Sequence, residues 1–278
     1  PMLFVDSFSS SWEEINTDIG FKYNVSKKIQ GLLGINYFNY QNIIDNNNDN
    51  FTDLTLQNRI SIFNKLNIER RNNKLFTVAF RYVYEDRWGG ETNWNKSFRG
   101  TDFVYGESIY TSRWETFGTY ELPTTENIRL QFSANGHHQD SFYGTDSYKA
   151  DQLIAFGQLI YNKKIKKHAL TLTAASTYEQ NTGQSKRSEA KTFPNDVLQN
   201  ENMQSAEQVL PIITNKYQST LISFLARFNY SFNDKYAISL SHRKDGSSKF
   251  GKNNKWSDFS SAGIAWKMHK ENFFKSIK

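Results

Sequence analysis

One stretch constrains the fold more than any other: residues Leu221 to Met268. Ile222, Phe224, Ala226, Phe228, Tyr230 and Phe232 alternate with Ser223, Arg227, Asn229 and Ser231. A period of two places these sets on opposite faces of one strand. Asn233 and Asp234 supply a tight turn. The chain returns with Tyr236, Ile238 and Leu240 facing Ala237, Ser239, Ser241 and Arg243 across the strand. A polar loop from Lys244 to Asp258 follows, and a third strand carries Ala262, Ile264, Trp266 and Met268 against Ser261, Gly263 and Lys267.

Strands of about ten residues, a short turn at one end, a long loop at the other and aromatics beside the turn describe a transmembrane β-barrel. Tyr230, Phe232 and Tyr236 stand where an interfacial girdle lies, with ring bodies in the acyl boundary and hydroxyls in water. A soluble β-sandwich gives the same local alternation, so this stretch leaves both architectures open.

The rest of the chain separates them. Alternating segments recur at 21–25, 29–40, 59–68, 75–85, 108–122, 128–132, 153–161 and 169–178. They are joined by plain turns (26–28, 70–74, 123–126 and 162–168) and by elaborate loops (41–53, 86–107, 137–149 and 180–218). A sandwich has no reason to keep one end plain and the other elaborate through so many hairpins. The expectation is an all-β, antiparallel barrel wall of about twelve strands in one domain, 1–278.

Composition agrees. Hydrophobic residues are only 37% of the chain and the mean hydropathy is −0.70, yet aromatics reach 15%. A wall with hydrocarbon on one side and water on the other needs only every second residue to be apolar. The rings argue against disorder. The absence of cysteine removes disulfides, thiolate metal sites and cysteine nucleophiles together. The net charge of +6 is scattered through turns and loops among acids, with no basic stripe, so nucleic acid is not an expected partner. No apolar run reaches the roughly 18 residues of a spanning helix. The start lacks the charged and apolar regions of a signal peptide, from which the chain is expected to be a mature or internal segment.

Two resemblances bear on these residues. The run RKDGSSKFGKNNKW from Arg243 to Trp256, with Phe259, Ala265 and Trp266, resembles the barrel of SusC/RagA-type TonB-linked outer-membrane transporters. FPND at 193–196 and LISFLAR at 221–227 look like that family's preceding loop and strand, so this likeness covers about 168–278. Upstream, YVYEDRWGGE at 82–91, Trp94, FRG at 98–100, YGESIYT at 105–111, YKADQ at 148–152 and AFG at 155–157 look like siderophore- and cobalamin-type TonB-dependent receptors. The chain therefore reads as a mosaic with a seam near 168–178, either a divergent receptor or a composite of two homologous barrels.

The resemblance implies about twenty-two strands around a plug, of which this chain would be roughly half, with the plug absent. It implies active nutrient import across the bacterial outer membrane, powered by TonB through a plug not in this chain. The SusC-like half implies glycan or peptide import with a SusD-like surface lipoprotein; the upstream half implies a siderophore or cobalamin. A passive channel and a soluble glycan-binding sandwich are the alternatives.

Two loops carry candidate sites. DNNNDNFTD places Asp45, Asn47, Asp49, the Phe51 carbonyl and Asp53 at the spacing of a calcium loop. Asn50 stands at the usual glycine and Leu56 where a bidentate glutamate would close the shell, so a weak structural Ca²⁺ or a solvated loop tip both fit. The loop 86–110 gathers Arg87, Trp88, Glu91, Trp94, Arg99 and Tyr105, rings and charges suited to a polar, ring-bearing or polyhydroxylated ligand, or to packing among themselves. Five histidines form no ligand spacing, and no nucleophile elbow, phosphate loop or HExxH helix is present, so no catalytic residues are expected.

Overall fold

A computed structural model of the chain describes residues 2–194 and 203–275. The strands are β1 (Leu3–Ser9), β2 (Ile15–Ser26), β3 (Ile29–Tyr40), β4 (Leu56–Glu69), β5 (Leu75–Gly90), β6 (Gly106–Glu121), β7 (Asn127–Tyr143), β8 (Asp146–Ile165), β9 (His168–Arg187), β10 (Ala190–Lys191), β11 (Gln208–Val209), β12 (Ile213–Phe232), β13 (Tyr236–Ser247) and β14 (Trp256–Trp266). All except β10 and β11 join one sheet of twelve antiparallel strands in simple meander order, with β12 beside β9; β10 and β11 pair with each other. Among the described residues no second sheet covers either face, which excludes the sandwich. Pairing runs unbroken through 168–178, where β9 is hydrogen-bonded along its length to β8 and β12.

Register shows why the sheet is a barrel wall. Phe76, Tyr120, Leu130, Leu159, Ala174, Ala226 and His242 lie in one transverse row. Phe76 is one residue from the turn end of β5, whereas Ala226 is six residues from that of β12. The ladder thus slips by about one residue per strand, and a slip of about 3.3 Å over a spacing of about 4.8 Å tilts the strands by about 35°, the tilt of a closing barrel.

The two faces differ throughout. Directly paired residues share a face, so Ile62, Tyr82 and Trp114 extend one surface across β4–β6, and Ile128, Tyr161, Leu172, Phe228 and Leu240 extend it across β7–β13. Leu159, Leu172, Phe228 and Ile238 all stand exposed on this apolar face. Its band is nine residues tall on β5 (Phe76 to Tyr84), β7 (Ile128 to Gly136) and β8 (Leu153 to Tyr161), within the 9–11 residues that cross a bilayer. The next positions on that face are Asp86, His138 and Asp151. Asn64, a polar residue within the band, is satisfied by the Tyr23 hydroxyl at 2.7 Å. Tyr23 reaches it across Gly31, where a Cβ would fall 2.1 Å from the ring.

The opposite face is hydrogen-bonded. Asn36 donates to Asn16 and Asp18 at 2.9 Å, Gln152 donates to Asn181 at 2.9 Å, and Ser239 donates to Asn229 at 2.7 Å.

At the turn end, His168, Phe232, Tyr236 and Trp266 form one row of rings, with centroid separations of 5.0, 6.4 and 6.4 Å along it. Asn233 and Asp234 both take positive φ in the three-residue connection 233–235, where the Lys235 N–H closes the turn on the Phe232 carbonyl at 3.0 Å. Lys267 and Lys270 hold the Asp234 carboxyl down to about 2. Glu271 is held at about 2, first by Lys235 at 2.7 Å, then by the Tyr236 hydroxyl at 2.6 Å and the Trp266 indole N–H at 3.2 Å. A carboxylate depressed in the folded state stabilises above its ordinary range and loses that contribution as pH falls through the folded value. Docking of 268–275 on the turn end is therefore expected to weaken between about pH 4.5 and 2. Tryptophan fluorescence should follow the loss, and Glu271→Gln should shrink that transition to the share carried by Asp234 and its two lysines.

Four expectations are corrected. β1 precedes the first anticipated strand; Phe4 and Phe8 on one side oppose Leu3 and Val5 on the other, so no period of two marks it. The loop expected at 137–149 is a tight hairpin in which β7 runs to Tyr143 and β8 starts at Asp146, with Gly144 at φ +59°. The loop end is thus not uniformly elaborate. The span 180–218 is largely strand, with β9 reaching Arg187 and β12 starting at Ile213. Its central residues, including positions 195 and 196 of the FPND motif, lie outside the described residues. The expected loops at 86–107 and 244–258 likewise shorten to 91–105 and 248–255. Above the apolar band both faces meet water, so the ladder continues where alternation has stopped.

Candidate functional site

The two candidate loops are knitted into one lobe above β4–β8. Thr52 N–H donates to the Gly90 carbonyl, and Thr92 N–H to the Asn50 carbonyl, both at 2.8 Å. The Phe51 and Tyr105 rings lie 6.2 Å apart. Glu91 and Tyr105 are tied twice, through Glu91 N–H to the Tyr105 carbonyl at 2.9 Å and Tyr105 N–H to the Glu91 carboxylate at 2.7 Å. The Tyr105 hydroxyl donates to Glu107 at 2.9 Å; desolvation first, then this bond, pushes it up to about 12. Leu56, Trp94 and Val104 are buried in this lobe.

Trp94 is only 5% exposed. Its indole lies on Gly106, where a Cβ would fall 2.4 Å from the ring, and 4.7 Å from the Trp88 ring. Arg99 is the other clasp. Its Nε donates to the fully buried Ser108 hydroxyl at 2.7 Å, and its Nη2 donates to the Asp140 carbonyl at 2.8 Å and carboxylate at 2.9 Å. The guanidinium also lies 4.2 Å from the Tyr110 ring centroid and 4.5 Å from that of Phe142.

These contacts decide where the six residues stand. Trp88, Ser108, Tyr110, Asp140 and Phe142 share the apolar-face side, so Trp94 and Arg99 clasp the sheet from that side, above the band. Arg87 lies on the polar face, 4.0 Å from Glu85. The structure brings Trp88 to Trp94 and Glu91 to Tyr105, while Arg87 and Arg99 are separated by the sheet itself.

In the loop 45–53 the oxygens serve the loop's own backbone. Asp45 accepts from Asp49 N–H at 3.2 Å and Asn50 N–H at 2.9 Å, Asp49 accepts from Phe51 N–H at 2.8 Å, and Asp53 accepts from Asn46 N–H at 2.8 Å. The Asn47 side-chain amide bonds Asp49 twice, its oxygen accepting from the Asp49 N–H at 3.2 Å and its NH2 donating to the Asp49 carboxylate at 2.9 Å. Asn50 takes the positive φ expected of it. Among the described residues no three carboxylates, histidines or cysteines converge on a metal-sized space. The loop closes on itself through its own side-chain oxygens. Calcium titration by calorimetry on the parent and Asp49→Ala decides between a solvated loop tip, which gives no heat that the substitution abolishes, and a weak calcium loop, which does.

Sequence reasoning missed the polar wall below. Gln57 donates to Glu85 at 2.6 Å, and Glu115 receives Arg81 at 2.8 Å and Arg113 at 2.6 Å. Arg59 pairs directly with Glu85 in register and lies 5.3 Å from the Phe38 ring centroid. Alternation alone could have placed 81, 83, 85 and 87 on one face; only the register sets 113 and 115 beside them.

A tilted, twelve-strand antiparallel sheet with one greasy and one wet face is the wall of a transmembrane β-barrel. No family model matches the chain. Curated relatives do: TonB-dependent receptor P3 of Formosa agariphila is 33% identical over 117 residues, 42% of this chain and 12% of that protein. TonB-dependent receptor SusC of Bacteroides thetaiotaomicron is 42% identical over 60 residues, 22% and 6% of the two chains. Among solved structures, the RagAB peptide transporter superposes with a TM-score of 0.60 at 16% identity, over 94% of this chain and 35% of that one. The siderophore receptor PiuA from Acinetobacter baumannii gives 0.61 at 11% identity, over 96% and 47%. The chain is similar to stretches of TonB-dependent receptors and shares the barrel-wall fold of solved outer-membrane transporters, and it spans only a small part of the length of the curated relatives it matches.

Proposed function

We propose that this stretch lines the import pore of a TonB-dependent transporter in the bacterial outer membrane, with its apolar face in lipid and its polar face toward the lumen. The observation that carries the reading is the nine-residue band continuous across neighbouring strands, backed by a face on which amides, hydroxyls and ion pairs bond one another. A wet lumen of this kind passes a polar nutrient. The kinship to SusC favours a glycan or a peptide, and the fold likeness to a peptide transporter is compatible with the latter. TonB acts through a plug supplied elsewhere in the receptor, and a SusD-like lipoprotein covers the loop end. Uptake of the cognate nutrient should vanish in a strain lacking TonB while the receptor stays in the outer membrane. Uptake that persists would make the barrel a passive channel.

The placement of Trp94 makes it a packing residue and leaves Trp88 the more accessible of the two rings. Trp94→Ala is expected to loosen the loop 91–105 under limited proteolysis, whereas Trp88→Ala should leave cleavage near parent level. We read the chain as one barrel domain; a single peptide spanning 161–193 in mass spectrometry would show that the two resemblances belong to one polypeptide.

A further inference from the structure

On the polar face of β4–β6, a patch between Gln57 and Phe63, Arg81 and Arg87, and Ile109 and Glu115 holds Arg59, Arg81, Arg87 and Arg113 against Glu85 and Glu115. Four guanidiniums facing two carboxylates leave the patch at net +2. Arg81 and Arg113 share one partner, Glu115, through opposite carboxylate oxygens, and among the described residues neither has another. Both side chains remain nearly half exposed, at 44% and 45%, while Glu115 is 14% exposed. Each guanidinium carries five N–H donors in a planar fork. Most of those donors therefore remain free on the wet side of the wall. Arg87, 42% exposed, stands 4.0 Å from Glu85, too long for a hydrogen bond, and Glu85 is already engaged by Gln57. On the next three strands the same rows carry Asn135, His137, Gln139, Gln152, Asn181 and a single acid, Glu179, so the cationic character is local to β4–β6.

We propose that this arginine patch is a recognition site for carboxylate-bearing solutes, and that it gives the pore a preference for acidic peptides or uronic-acid oligosaccharides over their neutral counterparts. The inference rests on the lumen-facing assignment made above. A guanidinium fork matches a planar carboxylate through two parallel N–H···O bonds, which lysine cannot reproduce. Glu115 gathers both forks on the two oxygens of one carboxylate, so one ligand carboxylate can take donors from both.

The test uses the full receptor that contains this segment, purified in detergent, with matched probes: a glutamate-containing tetrapeptide and its glutamine counterpart, and tri-galacturonate and its methyl ester. Parent receptor is expected to bind at least one acidic probe about tenfold or more tightly than its neutral match, and the arm that responds identifies the source of the carboxylate. Neutralising the arginines alone would leave Glu115 bare, so the triple variant Arg81→Gln, Arg113→Gln and Glu115→Gln removes the unit together; it should bring acidic and neutral probes within about twofold of each other. Arg87→Gln, which leaves the Glu115 clamp intact, should lower acidic-probe affinity without touching the neutral one. Equal affinity for acidic and neutral probes in the parent would overturn the proposal. So would discrimination that survives in the triple variant, or a loss that falls equally on both probes and marks the clamp as wall structure. Calorimetry in detergent does not depend on TonB, so failure here is distinguishable from failure of the import reading.

Discussion

Leu172→Arg is expected to block assembly of the barrel, and Thr177→Arg is expected to leave it nearly intact. The two residues lie five apart on β9 and point to opposite faces. Leu172 lies within the apolar band, paired with Tyr161, which bounds the band on β8, and with Phe228 on β12. An arginine on a lipid face costs up to about 2–4 kcal/mol at the bilayer midplane and less toward either edge, which lowers the folded fraction by up to about 30- to 1,000-fold. Thr177 pairs with Phe156 and Ser223 on the polar face, where a long cationic side chain reaches water. Outer-membrane fractionation with heat-modifiable migration on a gel reads both variants. Equal tolerance, or the reverse order, would mean that hydrocarbon does not lie where the band places it, and the pore assignment would go with it.

The second large effect belongs to Arg99. Arg99→Ala removes an ion pair to Asp140, a bond to the buried Ser108 hydroxyl and two ring contacts at once. The Arg99 and Asp140 side chains are 16% and 23% exposed. Breaking one partner of a buried pair costs about 3–5 kcal/mol, and partial exposure with Lys149 still 3.1 Å from Asp140 reduces this to about 2–3 kcal/mol. Opening of the loop 91–105 should then rise about 30- to 150-fold in hydrogen exchange. Arg99→Lys should fall between, keeping the charge but not the fork. The bilayer-spanning strands should keep parent-level protection, because the clasp sits above the band. Exchange unchanged in both variants would show that the loop is held by Glu91, Tyr105 and Trp94 alone.

The comparison of Leu172 with Arg99 shows where sequence is informative. Within the band one face meets hydrocarbon and the other water, and that boundary condition writes a period of two into Phe76 to Tyr84 and Phe224 to Phe232. Those strands, their turns and the barrel class follow from the pattern. Above the band the condition lapses. His138, Asp140, Lys149 and Asp151 are polar on the outward face too, so the pattern reads as loop, while the backbone goes on pairing from β6 to β9. Hydrogen bonding between neighbours, not side-chain alternation, holds those strands.

The candidate site divides in the same way. Sequence assembled Arg87, Trp88, Glu91, Trp94, Arg99 and Tyr105 because they are near one another along the chain. The fold sends Arg87 through one face and Arg99 over the other, and spends Trp94 on Gly106. Conversely, Arg81 and Arg113 lie thirty-two positions apart in number and become neighbours only when β5 and β6 register Arg81 against Glu115. By itself the sequence determined that each strand has a greasy and a wet side, where the short turns fall and that the result is a barrel. Only the tertiary structure decided how tall the strands are, which charges meet across the wall and which side of it each loop clasps, because those depend on ladder register and stagger, and neither leaves a trace in the order of residues along one strand.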